Sequence, residues 1–115
     1  MGDSDPVDVL ELMGDEYART ILAETSQQPL SAQKLQEVCD ASERTVYRRL
    51  EQLESLGLVE EEIEIDPNGH HRTLYQTTVE NVLVELEDGD YVVRIRFEED
   101  TADRFARIWR TIRDE

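Results

Sequence analysis

Three arginines, Arg44, Arg48 and Arg49, lie between Ser42 and Leu50 with a single acid, Glu43, among them. A guanidinium is planar and presents its N–H donors as a fork, so it can bond guanine O6 and N7 together or clamp a phosphate. Ser42, Thr45 and Tyr47 stand beside these arginines and add hydroxyl groups. At about 100° per residue, Val46, Leu50 and Leu53 fall in one narrow arc and Arg44 and Arg48 fall opposite, with Thr45 and Tyr47 flanking. One helix therefore separates an apolar side from a basic side suited to base edges and phosphates. Arg49 lies nearer the flank of the apolar arc, where a salt bridge to an acid competes with a phosphate contact. A second basic group, His70, His71 and Arg72, follows the turn Asp66-Pro67-Asn68-Gly69. Exposed neutral histidine is the ordinary role in such a turn, and a phosphate or minor-groove contact is the functional one.

The rest of the chain has the opposite sign. Its 115 residues hold 28 Asp and Glu against 12 Lys and Arg, a formal net charge of -16 with a pI near 4.3. Charge of this sign argues by itself against nucleic acid. The apolar content of 38% is nevertheless spread through periodic segments, which is the pattern of a folded protein and not of an acidic tail. Lys34 is the one lysine, and an acidic, lysine-poor surface resembles that of proteins from salt-in halophiles. In multimolar salt the Debye length is about 3 Å or less, so a global charge is nearly invisible beyond contact. The local clustering of arginines then decides what the chain can bind.

The elements that would position these residues can be read from period and caps. Asp5 to Met13 places Val7, Leu10 and Met13 at helical spacing, with Val9 and Leu12 widening the stripe. Gly14 ends that helix, and Asp15 caps a second that runs to about Glu24 with Ala18, Ile21 and Leu22 inward. Ser26 to Leu30 reads as a loop. Ser31 caps a third helix, Ala32 to Cys39, with Leu35 and Val38 buried; Asp40 and Ala41 form a tight turn; Ser42 caps a fourth, Glu43 to Leu56, stopped by Gly57. The period then changes to 2. Val59, Ile63 and Ile65 alternate with Glu60, Glu62 and Glu64 in a half-buried strand, and Arg72 to Thr78 returns beside it. A second hairpin, Val79 to Leu86 and Tyr91 to Phe97, turns at Asp88 and Gly89. Asp100 caps a last helix, Thr101 to Arg113, with Ala102, Phe105, Ile108, Trp109 and Ile112 in one stripe.

Helix, short turn, helix, glycine stop and hairpin is the order of a winged helix-turn-helix. The stretch SAQKLQEVCDASERTVYRRLEQLESLGLV, followed by a hairpin ending in HHRTLYQ, resembles the winged helix-turn-helix of ArsR-type regulators, particularly the small haloarchaeal ones. The resemblance covers roughly residues 7–78 and fades beyond Thr78. It implies an α+β fold and a homodimeric repressor or activator, with the fourth helix in the major groove of double-stranded DNA and the hairpin wing on the flanking backbone. Carried over by position, Ser42, Arg44, Thr45, Tyr47 and Arg48 match the recognition-helix surface, and His70, His71 and Arg72 match the wing tip. Residues 1–78 are thus the expected DNA-binding domain, and residues 79–115 a dimerisation extension of it.

Metal sensing, common among ArsR-type proteins, is not expected: Cys39 is the only cysteine and the two histidines are adjacent in a turn. Cys39 reads as a small buried side chain, since a thiol switch needs exposure and a lowered pKa. No catalytic set, phosphate loop or cofactor motif is present, so neither enzymatic activity nor a cofactor is expected. No apolar run is long enough to cross a bilayer and no signal-peptide pattern opens the chain, which places the expected site of action in the cytoplasm. The stripe of the last helix can fold back on its own domain or pair with the first helix and its symmetry mate. The dimer is preferred, through Val7, Leu10, Phe105, Ile108, Trp109 and Ile112, because small helix-turn-helix modules read two half-sites. Arg104, Arg107, Arg110 and Arg113 read as ion-paired surface. Cations bridging the acidic surface to DNA would complete the expected partners. The rival reading is a winged-helix protein-interaction module that binds a protein through its acidic surface and second hairpin.

Overall fold

A computed structural model describes residues 6–98 of the chain. Four helices come first: α1 (Pro6–Met13), α2 (Glu16–Gln27), α3 (Ala32–Cys39) and α4 (Glu43–Ser55). Two antiparallel hairpins follow, β1 (Val59–Ile65) with β2 (His71–Thr77), and β3 (Val79–Glu87) with β4 (Asp90–Phe97). This is an α+β winged helix-turn-helix with an added hairpin. The helix expected over Thr101 to Arg113 lies outside the described residues.

The caps read from sequence are in place. Side chains of Asp15, Ser31 and Ser42 accept from the backbone N–H groups of Ala18, Lys34 and Thr45, each satisfying a donor that the first helical turn leaves unpaired. The turn between α3 and α4 is made by Asp40 in the left-handed region at φ 52°, a conformation that aspartate tolerates better than most non-glycine residues. It lets the N–H of Ala41 close back on Gln36 O at 3.1 Å. At the end of α4, Gly57 at φ 75° allows the N–H of Leu58 to bond Leu53 O at 2.9 Å, which turns the chain from helix into wing.

The core gathers one side of each helix and the body end of the wing. Ile21, Leu35, Val46, Leu50, Leu53 and Leu58 are all buried. On α1 the inward residues are Val9 and Leu12, whereas Val7 is 57% exposed and Leu10 is half-buried. The stripe read from sequence therefore enters the core along its flank.

Four further expectations are corrected. Helix α2 continues past Glu24 to Gln27, because Thr25, a mediocre helix former, finds partners there. Its buried hydroxyl lies 2.7 Å from Ile21 O and 2.7 Å from the Thr77 hydroxyl, which itself lies 2.7 Å from Leu22 O. Two hydroxyl protons serve these three contacts and tie the end of α2 to β2. Leu30, assigned to a loop, exchanges both backbone hydrogen bonds with Tyr75 at 3.0 and 2.7 Å and so extends the wing sheet. Val38 is exposed, not buried, because the short helix α3 meets the core at Ala32 and Leu35 and has turned Val38 to the rim. Ile63 and Ile65 are also exposed: the alternation is present, but the wing leaves the body after Val59, and only Leu74, Tyr75 and Thr77 of β2 are buried.

The second hairpin divides its faces sharply. Register and alternation put Val82, Val84 and Leu86 on one side with Tyr91, Val93, Ile95 and Phe97. The other side carries Asn81, Leu83, Glu85, Glu87, Asp90, Val92, Arg94 and Arg96. There Arg94 bonds Glu85 at 2.9 Å and Glu87 at 3.1 Å. The apolar face meets the core only at its base, through Ile95 and the neighbouring Val79. Toward the turn it is open, with Leu86 65% and Tyr91 61% exposed.

Where α4 meets β1, Glu54 is pushed up to about 7, first by burial, then by a hydrogen bond with Glu61 and by the charges of Glu61 and Glu51. A carboxyl raised in the folded state makes the fold bind more protons than the unfolded chain between about pH 4.5 and 7. Stability is accordingly expected to rise as pH falls through this window. Glu54→Gln should remove that dependence and add about 1–2 kcal/mol at pH 7.5, after allowance for screening by solvent. Urea titrations of both proteins at pH 5 and 7.5 measure this; parallel pH profiles would refute it.

Candidate nucleic-acid interface

Helix α4 is held from behind by Val46, Leu50 and Leu53, all buried. This turns Arg44 and Arg48 outward, both exposed and one helical turn apart, about 6 Å along the axis. Tyr47, 48% exposed, flanks them. At the N-terminus of the helix, Ser42 Oγ accepts from the backbone N–H of Thr45 at 3.1 Å and lies 3.1 Å from its hydroxyl. The N-terminal half of α4 thus presents two guanidiniums, a phenol and two hydroxyls on one outward surface.

The partners of the basic residues distinguish this surface from the rest of the molecule. Lys34 pairs with Glu37, Arg49 with Asp15, Arg72 with Glu64, Arg94 with Glu85 and Glu87, and Arg96 with Glu80. Arg19 donates to Met13 O at the end of α1. Among the described arginines and the lysine, only Arg44 and Arg48 have neither an acid nor a hydrogen-bond acceptor as partner. In a chain with a net charge of -16, two unpaired guanidiniums on one helix face form a local inversion of sign that needs a ligand or solvent to complete it.

Arg49 has a different place. Its Nε donates to Asp15 Oδ2 at 2.8 Å and its Nη2 to Asp15 Oδ1 at 3.1 Å, and both side chains are about three-quarters buried. Of the two roles left open by the sequence, the structure supplies the acid. Asp15 also caps α2, accepting from Ala18 N at 2.8 Å. The Arg49 hydrogen bond, assisted by the cap, outweighs burial and holds this carboxyl below its usual range. The folded-state pKa is depressed, so the pair stabilises the fold above the ordinary aspartate range, and this stability is lost as pH falls through and below it. Asp15→Ala should cost about 2–3 kcal/mol by removing a cap and stranding a half-buried guanidinium. Asp15→Asn, which keeps the cap, should cost about half as much. Thermal melts at pH 7 test the pair of values, and equal losses would show that the ion pair contributes nothing.

The wing tip is mixed in character. His70 is exposed and stays close to the turn, its Nδ1 3.4 Å from Asp66 Oδ2 and its backbone N–H bonded to Asp66 Oδ1. His71 is exposed at the start of β2, opposite Ile65. Arg72 is bound by Glu64 across the hairpin, so the sequence cluster of His70, His71 and Arg72 carries less free positive charge than its composition implies. Sequence could not show that pairing, because it depends on the strand register. Cys39 is half-buried, and burial first, with Glu24 and Asp15 second, pushes its thiol up, away from the reactive thiolate.

Residues 13–62 match the model of a family described as a helix-turn-helix domain. The matched stretch takes in α2, α3, α4 and the first part of the wing. Over this stretch the chain is similar to a helix-turn-helix domain, in agreement with the fold described above. No curated protein matches the chain. No helix among the described residues is long and apolar enough to cross a membrane.

Proposed function

We propose that the protein is a sequence-specific, ArsR-like transcription regulator of haloarchaeal type, working in the cytoplasm as a homodimer at high salt. The observation that carries this reading is the unpaired state of Arg44 and Arg48 on the outward face of α4, in a molecule whose other described arginines all have partners. Arg44 and Arg48 contact base edges or phosphates in the major groove. Ser42, Thr45 and Tyr47 set the depth and register of the helix through backbone contacts. The wing tip, with His70, His71 and Arg72, lies along the flanking backbone, and Arg49 fixes α4 from behind through Asp15.

Residues 79–115 form the dimerisation extension in this reading. Phe105, Ile108, Trp109 and Ile112 meet the first helix of the second copy near Val7 and Leu10. Two-fold pairing sets the two α4 helices on successive major-groove faces, one helical turn or about 34 Å apart. No catalytic step is assigned. Cations held between the glutamates and the phosphates lessen the usual release of counterions, so affinity falls only gently as KCl rises.

The test is binding of the purified protein to labelled DNA from its own upstream region in multimolar KCl, against unrelated DNA of equal length. Selective binding is expected. Equal affinity for both DNAs, or none for either by folded protein, would overturn the reading, and a steep loss of affinity with KCl would remove the bridging cations from it.

A further inference from the structure

We propose that the cleft between α1 and α4 binds a basic amino acid, and that its occupant takes Arg48 away from DNA; the second clause rests on the DNA-binding reading above and the first does not. The cleft has a volume of about 520 Å³, within the roughly 300–1,000 Å³ typical of small-molecule sites. One side of each helix makes a wall. Asp8, Glu11 and Leu12 stand at helical spacing on α1, and Arg48 and Leu56 line the cleft from α4.

The charges of the cleft define the ligand. Asp15 and Arg49, which also line it, are bound to each other and cancel. Asp8 and Glu11 are exposed, and among the described residues neither carboxylate has an ion-pair or hydrogen-bond partner; Arg48, on the facing wall, is unpaired as well. Two carboxylates thus stand against one guanidinium, and their complement is a small molecule with two cationic groups and one anionic group. A guanidinium takes a carboxylate through two parallel N–H···O bonds, and each carboxylate of α1 can take an ammonium. Leu12, buried, and Leu56, half-buried, offer apolar surface to a methylene stem. A carboxylate, an α-ammonium and a second cation on an alkyl stem are the groups of lysine, ornithine and arginine. A diamine would leave Arg48 unmet, and a dicarboxylate would face Asp8 and Glu11. Arg48 also stands one turn from Arg44 on the outward surface of α4. A guanidinium held by a ligand carboxylate is withdrawn from phosphate or guanine, so ligand and DNA each lower the other's affinity by the same factor.

The experiment titrates L-lysine into the full chain in multimolar KCl and reads the heat, with cadaverine, which lacks the carboxylate, and glutamate as comparison ligands. The expected result is a single-site isotherm for lysine, with both comparison ligands weaker by about 10-fold or more, the size of one lost charged hydrogen bond. Arg48→Ala, and Asp8→Asn together with Glu11→Gln, should each abolish the lysine heat. All three side chains are exposed, so both variants should keep their far-ultraviolet circular dichroism. In band-shift titrations lysine should weaken DNA binding by wild type, and the Asp8→Asn, Glu11→Gln variant should bind DNA without responding to lysine. No lysine heat from folded wild type, or equal lysine affinity in wild type and both variants, would overturn the site. Lysine binding that leaves DNA affinity unchanged would overturn the exclusion. The heat is read without DNA, so failure of the DNA-binding reading would be seen separately.

Discussion

Replacing Arg44 and Arg48 together by alanine is expected to weaken binding to the specific DNA by about 2–6 kcal/mol, roughly 30-fold to 10⁴-fold, while leaving the fold intact. The lower figure corresponds to contacts with phosphates and the upper to bidentate contacts with guanine. The two outcomes differ in kind. Loss of base contacts lowers affinity for the operator more than for unrelated DNA, whereas loss of phosphate contacts lowers both and flattens the salt dependence. Stability should hardly change, because both side chains are exposed and unpaired among the described residues and alanine is the better helix former. Arg94→Ala with Arg96→Ala is the matched control. It removes the same charge from the polar face of the second hairpin, where both arginines already have acidic partners, and should change binding less than about 3-fold. Band-shift titrations of the two double variants decide the matter, and equal losses would mean that charge in general, not this helix face, binds DNA.

Leu50→Ala is expected to have the largest effect on stability, about 2–5 kcal/mol from lost burial and the cavity left behind. Leu50 is 1% exposed, on the side of α4 away from Arg44 and Arg48, in the cluster with Ile21, Leu35 and Leu53. Domains of this size are stable by about 5–15 kcal/mol, so the variant stands near the limit of folding. Its DNA binding should follow the folded fraction and return on cooling or on addition of excess operator, which binds only the folded form. Urea unfolding gives the stability change directly. A loss under about 1 kcal/mol would show that α4 is not seated on the core as described, and loss of binding by fully folded variant would show that Leu50 acts on the reading face.

Much of this architecture was legible in the sequence because local chemistry specifies it. Asp15, Ser31 and Ser42 each mark a helix start by a side-chain oxygen placed for an unpaired N–H, and Gly57 marks a stop by the left-handed conformation that it alone adopts without strain. The opposition of Val46, Leu50 and Leu53 to Arg44 and Arg48 follows from helical period alone. What sequence left undecided depends on residues far apart in the chain. Thr25 stays helical through Thr77, Leu30 pairs with Tyr75, and Arg49 and Arg72 are claimed by Asp15 and Glu64. The exposure of Ile63 and Ile65 belongs to the same class, since alternation shows which side a residue faces and not whether anything covers that side.

The outer edge of β1 carries a further consequence, in colloidal terms. Leu30 bonds to β2, so among the described residues β1 keeps an unpaired row of N–H and C=O groups along its other side. Such a row is a template on which another extended chain can grow, and Ile63 and Ile65 would make the added strand adhere. Glu60, Glu61, Glu62 and Glu64 occupy four of the seven positions of the strand. A second copy aligned on this edge at about 4.8 Å would set carboxylate against carboxylate along its length. The glutamates of β1 thereby keep one molecule's wing from polymerising onto another's.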